Sequence, residues 1–419
     1  MHDELRSSAD DRGRSRTASG AHSLMMAANP MDLSAPNDEK SGKIRPFPPT
    51  RARAYVPALD KLRGLAILSV LLYHMPVLVR HDSLVEKLAI NVLGLGWAGV
   101  DLFFVLSGFL ITGILIDERA SPAYFRTFFA RRILRIVPVY VAFLLFSMWI
   151  APLIGVSLPA SALRLRELQG WYWSYLINIY IALHGWSAAA DGALHVWSLG
   201  VEEQFYLLWP VAVLLIPVRA LPRTALACVV GAELCRIAFI LSAAKGEENY
   251  VLLPTRMDTL AVGAFLTCAV RNPDLMAKVD RWRRLLVGAA LLALISQILI
   301  EHSLNFEHPL TQILAFPAIA VLSGSLVLDA SRNRKWISIL PLRFLGRYSY
   351  GMYIWHITVI SVAGKFVHSH FPRTFPTSCM LCYTLFIVAV LAIAIVVALI
   401  SWYVIEQPFL RLKRFVQYA

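Results

Sequence analysis

ALDKLRGLAILSVLLYHMPVLV, residues 58–79, is the stretch from which the rest of the chain is read. Its apolar length is about that of one bilayer crossing, yet it carries Asp60, Lys61 and Arg63 near its start and His74 toward its end. Arg63 and His74 are eleven residues apart. At about 100° and about 1.5 Å per residue, this spacing returns them to within about 20° of one helix face and separates them by roughly 16 Å. One face thus links a cation at the membrane edge to a titratable ring inside it. The same residues also read as interfacial anchors with a histidine closing the far end, and the stretch alone leaves both readings open.

The whole chain favours a membrane setting. Of 419 residues 58 % are hydrophobic and only 16 % charged, with mean hydropathy +0.59, too apolar for an ordinary globular enzyme of this length. The net charge of +13 would suggest nucleic acid in a soluble protein; here it is explained by membrane orientation. Residues 1–54 differ from everything after them: rich in Ser, Asp, Arg, Asn, Ala and Pro and without sustained apolar period, they are expected to form a disordered cytosolic tail. Met25, Met26 and Met31 are alternative translation starts, and no signal peptide is expected ahead of the first span. Cys228, Cys235 and Cys268 lie in apolar segments, while Cys379 and Cys382 form a lone CxxC, weak evidence for redox or zinc chemistry. No metal site is expected.

Apolar runs at 58–79, 98–116, 136–155, 198–218, 224–243, 255–270, 285–301, 311–329, 345–364 and 381–405 give ten expected spans. The fold class is therefore an all-α polytopic membrane protein, a bundle of about ten transmembrane helices. Arg119, Arg126, Arg131, Arg132 and Arg135 follow the second span within seventeen residues, and further basic clusters lie at 219–223, 271–284, 332–347 and 411–414. Alternating the spans places all of them on the side of the N-terminal tail, so both termini are expected to be cytosolic. Arg80 and Lys87, and Arg164 and Arg166, fall in the sparser outside loops. Residues 170–184, GWYWSYLINIYIALH, would invert the later topology if they crossed, and are read as an interfacial or re-entrant piece. Ser107, Gly108 and Gly113 permit close helix approach and place the second span inside the bundle.

Several polar residues stand where a bilayer disfavours them. In HVWSLGVEEQFY, residues 195–206, Ser198, Glu202 and Tyr206 recur every four residues on one helix face beside His195, Trp197 and Glu203. Two unpaired carboxylates there cost roughly 2.5–3.5 kcal/mol each, which calls for a wet cavity or cationic partners; an interfacial helix start is the plainer alternative. Arg256 and Asp258 are two apart and so face different helices; Glu202 and Glu203 are the expected partners of Arg256. Ser349, Tyr353 and His356 share a face of the ninth span, His356 several turns in, either in a cavity or as a satisfied core histidine. Glu406 closes the last span, where a structural role is equally open.

Arg132 and Arg135, three apart, point the same way and with Arg63 make a compact cationic site suited to phosphates, or plain cytosolic anchors. A ligand with phosphates near Arg63 and an arm of roughly 15–20 Å would present its end near His74, and coenzyme A has that form. A neutral imidazole is the ordinary base for a hydroxyl attacking a thioester. Asp101 is the expected orienter of its second nitrogen, and Arg256 or a backbone amide a candidate for the oxyanion.

The chain resembles the acyltransferase 3 family, membrane acyltransferases that modify sugars and related compounds. The matching pieces run in family order over residues 60–408: ALDKLRGLAILSVLLYH, GVDLFFVLSGFLIT, RRILRIVPVY, HVWSLGVEEQFYLLWP, RMDTLAVG, GRYSYGMYIWH and EQP. The resemblance implies O-acyl transfer from a cytosolic acyl-CoA, usually acetyl-CoA, as co-substrate with no tightly bound cofactor. It implies His74 as the catalytic residue and Arg132 and Arg135 as acyl-CoA contacts. The expected domains are a tail at 1–54, a membrane acyltransferase domain at 55–412 and a short cytosolic tail at 413–419. With no esterase-like domain after the last span, the chain resembles the stand-alone type. The expected catalytic set is His74, Asp101 and Glu203. Arg63, Arg132 and Arg135 are expected to bind the donor, and His195, Trp197, Ser198, Glu202, Tyr206, Arg256, Asp258, Ser349, Tyr353 and His356 to form an acceptor or structural polar site. The expected partners are the lipid bilayer, acyl-CoA and a sugar, polysaccharide or lipid-linked glycan, with no nucleic acid, in a bacterial plasma membrane. Direct transfer and an acyl-histidine intermediate both fit, and a transporter of a polar metabolite is the rival class.

Overall fold

Ten helices of sixteen residues or more carry the architecture in a computed structural model that describes residues 56–75, 93–156, 159–242, 246–301, 304–334, 337, 341–370 and 380–416. They are α1 (Pro57–His74), α2 (Ala98–Asp117), α3 (Tyr124–Leu145), α4 (Trp197–Leu215), α5 (Leu221–Leu241), α6 (Leu253–Ala269), α7 (Pro273–Glu301), α8 (Phe316–Ser331), α9 (Ser349–His370) and α10 (Met380–Ser401). Each falls on one of the ten apolar runs. The tail at 1–54, Arg80, Lys87, Cys379 and residues 76–79 of the opening stretch lie outside the described residues.

Seven helical stretches among the described residues are long and apolar enough to cross a membrane, and the chain is an integral membrane protein. The exceptions are α1, α4 and α9. They carry Asp60, Lys61 and Arg63, the Glu202–Glu203 pair, and His356 with Lys365, which lower their apolarity. Leucines such as Leu207, Leu215, Leu234, Leu285 and Leu299 face outward on the bundle, an apolar surface that water would not tolerate. Residues 170–184 are not among the stretches long and apolar enough to cross. They form two short helices, Gln169–Trp173 and Ile177–His184, broken at Tyr175 where φ is 57°.

α2 and α6 make the central contact. They run side by side and cross where Gly108 meets Gly263: a Cβ on Gly108 would lie 1.9 Å from the Leu260 carbonyl oxygen, and one on Gly263 2.1 Å from that of Val105. Only the missing side chains let the backbones approach so closely. Asp101 and Arg256 each precede the crossing glycine of their helix by seven residues, and they meet at 2.5 Å. Asp117 and Arg271 lie past the crossing and meet at 3.0 Å. The parallel pair is therefore fastened on both sides of a glycine crossing.

A second close approach seats α9. Gly346, in the short helix Arg343–Arg347, lies so near α1 that a Cβ there would fall 1.7 Å from the Asp60 carbonyl oxygen, and Gly64 meets Leu342 in the same way. This contact brings the start of α9 against α1, which carries Arg63 and His74.

Candidate functional site

The helix crossings bring five helices, α1, α2, α3, α4 and α9, around one cavity of about 110 Å³. Its polar lining includes Arg63 from α1, Ser107 from α2, Arg132 and Arg135 from α3, Ser198, Glu202 and Tyr206 from α4, and Ser349 and Tyr353 from α9. The four-residue period of α4 places its three polar side chains on one wall, Arg132 and Arg135 share a face as their spacing predicts, and the packing of α1 adds Arg63.

Each wall is ordered by hydrogen bonds. Arg63 donates to Asp60 at 2.7 Å, one turn back along α1. Arg132 lies over the Tyr206 ring, 4.9 Å from its centroid, a cation–π contact that steers the guanidinium along the wall. Ser107 Oγ donates to Glu202 Oε1 at 2.7 Å. A hydroxyl has one hydrogen to give, so the 2.8 Å contact between Ser107 Oγ and Tyr206 Oη has the tyrosine donating. At the far end Tyr353 Oη donates to the His195 carbonyl at 2.8 Å and sits 2.5 Å from Ser198 Oγ, which donates to it.

Beyond Tyr353 lie three histidines. The His356 ring is 4.9 Å, centroid to centroid, from both His74 and His195. Each ring donates to a backbone carbonyl: His74 Nδ1 to Val70 at 2.9 Å, His356 Nδ1 to Tyr353 at 2.6 Å, and His195 Nε2 to Ile354 at 3.1 Å. A carbonyl can only accept, so each bond fixes the tautomer and leaves the other nitrogen as a lone pair. The lone pairs are His74 Nε2, His356 Nε2 and His195 Nδ1. The last two are buried without a partner among the described residues. His74 is half-buried and lies outside the lining of the cavity, while His195 and His356 are buried.

Two expected pairings are corrected. Asp101 does not orient His74, whose Nδ1 is held by Val70; Asp101 is paired instead with Arg256, both side chains 0 % exposed. Arg256 likewise does not reach Glu202 or Glu203, because the equal offsets from the α2–α6 crossing bring it to Asp101. The faces of Phe316 and Tyr250 flank its guanidinium, at 4.6 and 5.3 Å. Asp258 pairs with Arg236 at 2.9 Å, and Arg236 also binds Glu233, so Arg256 and Asp258 do serve different helices. Glu203 points about 100° away from Glu202 around α4 and does not line the cavity. Trp197 is buried against Tyr250 and Phe104 as packing. Glu406 ends a π-helical turn, buried near Gly351 of α9 and outside the cavity lining.

Sequence reading missed Ser107 as the link between Glu202 and Tyr206, having weighed it only as a small residue. It also passed over Glu233 and Arg236, a charged i, i+3 pair inside an apolar run and a sign of a buried partner.

The family described as "Acyltransferase domain", acyltransferase 3, matches residues 56–406. The chain is 28 % identical over 391 residues to the O-acetyltransferase OatA of Staphylococcus aureus, covering 87 % of this chain and 58 % of that protein. It is 28 % identical over 329 residues to the peptidoglycan O-acetyltransferase OatA of Listeria monocytogenes, covering 74 % of this chain and 50 % of that one. The chain thus spans between half and three-fifths of the length of these relatives. No solved structure matches.

Proposed function

The chain belongs to the acyltransferase 3 family, and from that premise we propose that it is a membrane-embedded O-acyltransferase moving an acetyl group from cytosolic acetyl-CoA to a hydroxyl of a sugar or glycosylated acceptor. The observation that carries this reading is the convergence of Arg63, Arg132, Arg135 and Tyr353 on one cavity, with the Tyr353 ring 5.5 Å from that of His356, which lies 4.9 Å from that of His74. At about 110 Å³ the cavity is below the usual 300–1,000 Å³ of a drug-sized site. It suits a slender arm entering while the phosphates remain among the arginines.

In this reading the bundle crosses the membrane ten times with both termini cytosolic, and the basic clusters on the tail side support that orientation. The arginines then belong to the inner half, and His74, at the end of α1, to the outer half. Residues 55–412 form the catalytic domain in a bacterial plasma membrane. The peptidoglycan in the name of the Listeria relative supports a glycan acceptor here.

Chemically, His74 Nε2 takes the proton of the acceptor hydroxyl as its oxygen bonds to the acyl carbon. The carbon–sulfur bond breaks and the thiolate of coenzyme A leaves, to be protonated in turn. His356 and His195, held in fixed tautomers beside it, offer further lone pairs to hold the attacking hydroxyl or bridging water. Direct transfer accounts for this arrangement without an acyl-histidine.

The test compares cells carrying the intact protein or His74→Gln by mass spectrometry of surface glycans and lipid extracts, together with acetyl-CoA turnover by the purified protein. Expected is loss of one acetyl mass from a single glycan pool, with transfer lowered by about 10²–10⁴-fold. Unchanged acetylation in every pool would overturn the reading.

A further inference from the structure

The residues that follow α10 turn back onto α3. After Glu406 a short helix, Gln407–Arg411, leads into a 3-10 turn, Leu412–Phe415, and both pack against α3. Arg131 of α3 fastens this segment: its Nη1 donates to the carbonyl of Val416 at 2.6 Å and to that of Lys413 at 3.4 Å. Arg131, Arg132 and Arg135 occupy about one turn of α3, so whatever Arg131 holds lies beside the other two.

Lys413 is half-buried there, within charge–charge range of Arg131, Arg132 and Arg135. No carboxylate stands within salt-bridge distance of it among the described residues. Like charges so placed repel, and partial burial leaves them less screened by water and salt. A bound polyanion turns the same arrangement into an attraction. Arg63, Arg132 and Arg135 line the cavity and Lys413 does not, so Lys413 adds a cation just outside the lining.

That offset matches one part of coenzyme A. Its diphosphate joins the pantetheine arm to the adenosine, and a further phosphate sits on the ribose 3′ oxygen, farther from the thioester. An arm running from the arginines toward Tyr353 keeps the diphosphate at Arg63, Arg132 and Arg135. The 3′-phosphate then falls outside the lining, beside the arginines, where Lys413 stands. As a monoester it carries about −1.5 to −2 charges at pH 7, a suitable partner for a compact ammonium.

We infer that Lys413 binds the ribose 3′-phosphate of the acyl-CoA donor and makes the protein select coenzyme A over its 3′-dephospho form. The inference rests on the acyltransferase reading for the identity of the donor; the segment that carries Lys413 is otherwise only the exit from the last long helix.

The test measures binding of acetyl-CoA and acetyl-3′-dephospho-CoA to the full chain in phosphatidylcholine nanodiscs by calorimetry. The intact protein is expected to bind acetyl-CoA about tenfold tighter than the dephospho form. Lys413→Gln is expected to remove that difference by weakening acetyl-CoA about tenfold, with the dephospho form changed less than about twofold. Lys413→Arg, which keeps the charge, should retain most of the discrimination and guards against misfolding of the Gln variant. Arg132→Gln, at the diphosphate, should weaken both donors by the same factor. Equal affinity of the intact protein for the two donors would overturn the inference, as would a Lys413→Gln variant that weakens both equally. Discrimination lost when phosphatidylglycerol is added to the discs would also overturn it, assigning Lys413 to lipid headgroups. Acetyl-CoA turnover in the same discs separates the two readings. Lys413-dependent discrimination without turnover sinks the enzymatic reading alone, turnover without discrimination sinks the Lys413 assignment alone, and failure to bind either donor sinks both.

Discussion

Asp101→Asn removes the countercharge from Arg256, the most deeply buried cation among the described residues. Asp101 and Arg256 meet at 2.5 Å with both side chains 0 % exposed, so no water can replace the lost carboxylate. The Phe316 and Tyr250 faces at 4.6 and 5.3 Å remain, but cation–π contacts give about 2 kcal/mol when desolvated, less than the carboxylate they would have to replace. Leaving Arg256 buried and uncompensated is expected to cost about 3–5 kcal/mol. Removing both charges, Asp101→Leu with Arg256→Met, is expected to return stability to within about 1 kcal/mol of the native protein, because an apolar pair of similar volume leaves no charge to desolvate. The companion pair beyond the crossing gives the contrast: the Asp117 side chain is 31 % exposed, so Asp117→Asn is expected to cost about 0–1 kcal/mol. Equilibrium unfolding in mixed SDS micelles, followed by tryptophan fluorescence, reads all three. A double variant as unstable as Asp101→Asn would refute the role assigned to the Asp101–Arg256 pair, as would a single variant within about 0.5 kcal/mol of native. Acyl transfer by the stable double variant is expected to persist, and its abolition would return Asp101 to the role of orienting His74.

Gly108→Leu is expected to abolish the folded bundle, since even a Cβ would fall 1.9 Å from the Leu260 carbonyl oxygen, whereas Gly231→Ala, facing open space, is expected to leave the unfolding midpoint unchanged. Gel filtration of the detergent-purified variants checks the first, and thermal unfolding in the same detergent the second. Arg132→Gln and Arg135→Gln are each expected to raise the acetyl-CoA KM by about 10–100-fold, the loss of one charge-assisted contact of about 1.5–3 kcal/mol, with kcat changed far less. Equal losses in kcat and kcat/KM would instead place them at the reacting atoms. Ser107→Ala takes the donor from Glu202 and the acceptor from Tyr206 at once, and is expected to destabilise by about 1–3 kcal/mol. Ser107→Thr, which keeps the hydroxyl, should recover most of that loss in the SDS unfolding assay.

What a single helix period settles was legible in the sequence. The apolar runs became helices, Ser198, Glu202 and Tyr206 took one wall, Arg63, Arg132 and Arg135 gathered in one cavity, and 170–184 stayed out of the count of crossing helices. All but the meeting of Arg63 on α1 with the pair on α3 depend on residue spacing within one element, which about 100° per residue fixes locally. The ordered family motifs supplied the chemistry. The pairing of charges between helices was decided only in the tertiary structure. Residue spacing put Asp101 with His74, and Arg256 with Glu202 or Glu203, whereas the two pair with each other. The choice fell to the register of α2 on α6, set where Gly108 meets Gly263, because a buried charge pairs with whatever the backbone crossing places beside it. The histidine cluster was likewise invisible along the chain: His74, His195 and His356 come from three distant segments, and their tautomers are fixed by carbonyls whose positions depend on the fold.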